Sequence, residues 1–109
     1  MNKIFDKILE FFGLKRIEGA PVVQVDVVSQ LEQLEANSQV KLNWRESIVD
    51  LLKLIGVDSS RQNRNALAKE LGCPAELMKD SAKMNEWLRK EVMKKLAENG
   101  GNVPQELID

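Results

Sequence analysis

The chain has 109 residues, 43% hydrophobic and 30% charged, which fits one domain with material for a core and is too apolar for a disordered chain. Lys plus Arg is 16 and Asp plus Glu is 17, a net charge of −1, so neither a basic nucleic-acid coat nor an acidic tail protein fits. His is absent and Cys occurs once, at Cys73, which excludes His/Cys metal clusters, His-based acid–base catalysis and an intramolecular disulfide.

Residues 2–12 read as one amphipathic helix. With Ile4 at 0° and 100° per residue, Phe11, Ile4, Ile8, Phe12, Phe5 and Leu9 fall between about −20° and 140°, and the polar residues fill the remaining arc. Gly13 stands where a left-handed residue ends a helix, followed by Lys15 and Arg16. This N-terminal unit spans residues 1–16. Residues 17–25 read as a linker, because Gly19 and Pro21 stop a helix. A strand there has no evident partner.

Four helical segments fill residues 26–99. Asp26 caps the first, which ends near Ala36 and aligns Val27, Leu31 and Leu34. Asn43 with Glu46 forms a capping box for the second, whose inner face is Trp44, Ile48, Leu51, Leu52 and Ile55 before Gly56. Ser59 with Gln62 opens the third, which buries Leu67 and Leu71 and stops at Gly72. Asp80 or Ser81 caps the longest, running to about Glu98 with Met84, Trp87, Leu88, Val92 and Leu96 on one stripe. Residues 100–109 are a tail containing Pro104, either loose or packed back through Leu107. The expected fold is all-α: a small bundle of about four helices preceded by the N-terminal amphipathic helix and linker. Leu, Val, Met and the two Trp are expected to supply its core, because all three Phe lie in the N-terminal helix.

The run Lys41-Leu42-Asn43-Trp44-Arg45-Glu46-Ser47-Ile48-Val49-Asp50-Leu51-Leu52, the block Ala68-Lys69-Glu70-Leu71-Gly72 and the block Asp80-Ser81-Ala82-Lys83-Met84-Asn85-Glu86-Trp87-Leu88 resemble a small bacterial family known as domain of unknown function number 3597. The likeness covers about residues 26–104 and implies a helical domain behind a short apolar N-terminal stretch. It implies no activity and carries over no catalytic residue. The segment Gly72-Cys73-Pro74-Ala75-Glu76-Leu77 departs from the more glycine-rich pattern of such proteins.

The sharpest functional candidate is the apolar face Ile4, Phe5, Ile8, Leu9, Phe11 and Phe12. Its own domain, another copy, a protein partner or a lipid surface would each hide it. A second candidate is a helix-turn-helix-like segment near residues 60–98, where residues 61–99 hold nine Lys/Arg against six Asp/Glu, while residues 26–60 hold three against six. Against it, Asp80 opens a new helix after barely one turn. The basic residues Arg89, Lys90, Lys94 and Lys95 are the low-ranked nucleic-acid contacts, since they also suit a helix C-terminus and ordinary i,i+4 pairs. Trp44 and Trp87 read as core anchors, and Cys73, with no flanking cation, as a small incidental residue. No paired carboxylates and no glycine-rich phosphate loop stand out.

The expected function is a non-enzymatic interaction or adaptor module, its N-terminal helix docking on a membrane surface, a partner or another copy. A DNA-binding regulator is the alternative; nucleic acid, metal and cofactor are not expected partners. Uncharged runs reach only seven residues, at 19–25 and 99–105, against the ~20 apolar residues of a membrane span. A cytoplasmic location follows as the expectation, with peripheral contact at the inner membrane surface open through the N-terminal segment.

Overall fold

Short polar side chains set where the longer helices begin. In the computed structural model, which describes residues 4–14 and 25–109, Asp26 opens α2 (Val27–Asn37) by accepting from Ser29 N at 3.1 Å and Ser29 Oγ at 2.9 Å. These bonds hold the Asp26 carboxyl below the ordinary carboxylate range, the backbone N–H contributing most. Asp80 opens α6 (Ser81–Glu98) in the same way, accepting from Ala82 N at 3.0 Å and Lys83 N at 3.3 Å.

Two other starts differ from expectation. Asn43 and Glu46 do bond, Nδ2 to Oε2 at 3.0 Å, but they close only an isolated turn. Ser47 then adopts an extended backbone and caps α3 (Ile48–Leu54) by accepting from Asp50 N at 3.2 Å. A second capping side chain four residues downstream thus resets the helix. Trp44, on the isolated turn, is buried all the same and donates from Nε1 to Glu35 at 3.2 Å. Likewise Ser60, not Ser59, caps α4 (Arg61–Glu70), because Asp58 accepts from Ser60 N and Oγ and fixes it as the extended residue.

The remaining elements are short. α5 (Ala75–Met78) follows Pro74, and α7 (Gln105–Ile108) follows Pro104. Strand β1 (Val25–Asp26) pairs in parallel with β2 (Gly101–Asn102), so the extended segment does have a partner, supplied by the tail. Only Val25 of the expected linker belongs to the described residues. Gly101 is confined by this pairing: a Cβ built on it would lie 2.8 Å from Leu96 O and 2.9 Å from Val27 Cγ2.

The all-α expectation holds, with two-residue strands as the whole of the sheet among the described residues. α6 is the central element and packs on α3, α4, α5 and α7, burying Met84, Leu88, Val92, Met93 and Leu96. Trp87 is only half-buried. Leu107 is buried against the same core, so the tail packs back through α7. The nine-residue opening helix α1 (Ile4–Phe12) joins the core as well, which corrects the expectation that Phe is excluded from it. A body this small buries a limited share of its surface, and large aromatic side chains are the cheapest way to enlarge that share. Among the described residues no helix is long and apolar enough to cross a membrane.

Gly101→Ala is expected to lower stability by roughly 1–3 kcal/mol, since a Cβ 2.8 Å from the Leu96 carbonyl oxygen and 2.9 Å from Val27 Cγ2 forces backbone or side chain to shift. Urea unfolding of the two proteins measures it; an unchanged midpoint would show that β2 moves freely.

Candidate docking site

Alone in water α1 would leave most of its apolar face uncovered and, at nine residues, would be too short to hold a helix. Packing supplies what propensity does not. Ile8 is 0% exposed and Phe12 2%, with Phe5 and Leu9 also buried, each such burial contributing roughly 1.5–3 kcal/mol. Ile4 is half-buried against the core. Phe11 is the exception at 39% exposed, its ring edge-on to Phe12 with centroids 5.1 Å apart. The structure therefore brings five of the six predicted docking residues into contact with the chain's own core and leaves one facing outward. Of the four ways to hide this face, the structure shows the chain's own domain, because the helices behind it leave a groove that the face fills.

The groove is made by α4, whose Leu67 and Ala68 are buried, and by the α3–α4 connection, where Ile55 is buried. Between Phe11 and that connection a cleft of about 360 Å³ remains, lined by Ile4, Lys7, Val57, Asp58 and Asn63 among others. Its polar wall is already satisfied: Asp58 holds Ser60, and Asn63 Nδ2 donates to Asp58 O at 2.6 Å.

Both ends of α1 are fixed. At the C-terminus Gly13 takes φ +75°, Gly13 N bonds Glu10 O at 3.1 Å and Leu14 N bonds Leu9 O at 2.8 Å. This is a Schellman closure with its apolar partner, Leu14, buried, as expected for Gly13; Gly56 and Gly72 end α3 and α4 with the same pair of bonds. At the N-terminus the partner is remote. Glu70 Oε1 accepts from Ile4 N at 2.9 Å and Oε2 from Phe5 N at 3.1 Å. One carboxylate thus satisfies two of the free N–H groups and faces the positive end of the helix dipole. Sequence reading missed Glu70, which lies 66 residues from Ile4. A faint signal existed: Glu70 ends α4, where its charge opposes that helix's own dipole and a cation is the favoured residue.

The basic candidates are not gathered into one open patch. Arg89, with a side chain 12% exposed, bonds Glu86 Oε1 at 2.9 Å, and Lys90 approaches the same oxygen at 3.6 Å. Arg89 thereby holds the Glu86 carboxyl below its ordinary range. Lys95 lies between Glu91 and Glu98 at 3.9 and 3.5 Å, and Lys94 is exposed. In the helix-turn-helix-like segment the element that precedes Asp80, α5, is four residues long, too short to read a groove. Cys73 is half-buried, its thiol directed at Pro74 O at 3.6 Å, and burial pushes its pKa up, away from thiolate. Among the described residues no group of three or more His, Cys, Asp or Glu is placed to hold a metal ion.

Comparison with known proteins places these observations. The model of a family described as "Domain of unknown function (DUF3597)" matches residues 15–104. A solution structure of a conserved unknown protein from Rhodopseudomonas palustris is similar at 36% identity, covering 97% of this chain and 98% of that one, with a TM-score of 0.73. A search among curated proteins finds no match.

Two substitutions separate the inward and outward rings of α1. Phe12→Ala is expected to destabilise by about 3–5 kcal/mol, as for a core aromatic, and Phe11→Ala by under about 1 kcal/mol; equal effects in urea unfolding would contradict the burial described. Glu70→Ala is expected to lower stability by about 0.5–2 kcal/mol, the range of a lost N-cap, with the amides of residues 4 and 5 losing protection while those of α6 keep theirs.

Proposed function

The chain belongs to the DUF3597 family, and from that footing we propose that it is a non-enzymatic interaction module whose docking element is the N-terminal helix, seated in a protein groove. The observation that carries this reading is the seat itself: an amphipathic helix with four buried side chains and a remote carboxylate on its first N–H groups. That is how a helix ligand is held in a receptor groove.

Three targets compete for such a helix, and the geometry favours protein over lipid. Within Ile4–Phe12 the polar face carries Asp6 and Glu10 against Lys7, so the helix itself lacks the basic face of a membrane-surface helix, and the four Lys/Arg against two Asp/Glu of residues 1–16 owe their excess to positions outside it. The family match begins at residue 15, beyond α1, which supports treating the helix as an element separable from the domain. A duplex-DNA regulator has less support, because Arg89 and Lys95 are engaged with carboxylates and α5 spans one turn. Catalysis lacks its usual means: the sequence has no His, and the one thiol is held toward its neutral form.

A docking element must open without unfolding the rest. Native-state hydrogen exchange in low urea is expected to show residues 8–12 exchanging through a shared sub-global opening, about tenfold or more faster than the α6 amides of residues 88–96. Exchange of both sets only through global unfolding would make α1 an inseparable part of the core and end this reading.

A further inference from the structure

We propose that the occupant exchanged for the chain's own helix is the α1 of a second copy, so that two chains trade N-terminal helices and Glu70 of each caps the helix of the other. This rests on the docking reading above and names its partner. The groove is complementary to the helix it holds, the sequence Ile4–Phe12, whose Phe5, Ile8, Leu9 and Phe12 it buries. A second copy presents the same ligand and the same groove. Every contact of the closed chain, including the bonds from Ile4 N and Phe5 N to Glu70, is then recovered in the exchanged pair, which is the condition for domain swapping.

Reach and polarity both permit it. Ten residues, 15–24, connect Leu14 to Val25, and ten residues extend at most ~33–36 Å. That length exceeds the smallest dimension of the molecule, 27 Å, so the connection does not by itself tie α1 to its own groove. Glu70 accepts from Ile4 N and Phe5 N at the start of α1, and an incoming copy recovers those two bonds only when seated in the same direction as the resident helix. Because the contacts are the same in both forms, the balance depends on concentration. A short connection gives the resident helix an effective concentration in the millimolar range, and exchange becomes comparable only when the total protein approaches it.

The test uses the full chain. Equal amounts of ¹³C,¹⁵N-labelled and unlabelled protein are mixed, opened briefly in mild urea, returned to buffer and compared by sedimentation at about 10 µM and about 1 mM, the latter near the expected effective concentration. Dimer is expected to rise from a minor species to roughly half of the protein across that range. Isotope-filtered NOEs are expected to run from α1 side chains of one copy to α4 side chains of the other. Dimers without those NOEs would place the contact elsewhere and overturn the proposal. A monomer throughout, with α1 still opening in hydrogen exchange, would overturn the exchange and leave the docking reading standing; a monomer whose α1 never opens separately would remove both. In Glu70→Ala, faster conversion between the two forms is expected, since the seat is weakened alike in each; an unchanged conversion rate would show that Glu70 does not hold the exchanging helix.

Discussion

The apolar face of α1 cannot remain in water, and the protein covers it with its own groove. Everything distinctive in the architecture follows from that. The later helices account for most of the core, yet they close incompletely around α4 and the α3–α4 connection. Ile8 and Phe12 occupy that site with almost no exposure. In a chain of 109 residues each such side chain matters, because net stability is the small difference between burial and conformational entropy. The two buried phenylalanines enlarge a core that Leu, Val and Met would otherwise leave sparse.

Much of the local structure was legible because its causes are local. The segregation of residues 4–12, the caps at Asp26 and Asp80, and the left-handed closure at Gly13 each depend on side chains within a few positions of one another. Where two capping signals compete within one short segment, spacing alone chose wrongly. Asn43–Glu46 has the spacing of a box, but Asn43 N bonds Asp50 instead of Glu46 and Ser47 caps the actual helix, and Asp58 makes the decision between Ser59 and Ser60.

What sequence could not supply was the placement of one element on another. The same amphipathic pattern describes a helix on a membrane, on a partner or on its own domain, since each hides the same face. The decisive partners lie far away in the chain: Glu70 for the N-terminus of α1, and Gly101–Asn102 for the strand at Val25. No periodicity connects them. Glu70 looks like one more charge on a solvated helix end, and Gly101 like half of a terminating glycine pair, until the backbone brings each beside its partner.

The two kinds of contact at α1 act differently, and both are needed for a specific seat. Burial of Phe5, Ile8, Leu9 and Phe12 supplies most of the affinity, but the hydrophobic effect has no direction. An apolar trough alone would accept the helix in either sense and in neighbouring registers. The Glu70 bonds add less energy than a single buried phenylalanine, yet they recognise an end rather than a surface. Carboxylate oxygens at 2.9 and 3.1 Å from consecutive N–H groups are matched by the free N–H groups of a helix start, which the interior of a helix does not offer. Affinity without that mark would be shared by many amphipathic segments; the mark is what restricts the groove to a helix that begins where α1 begins.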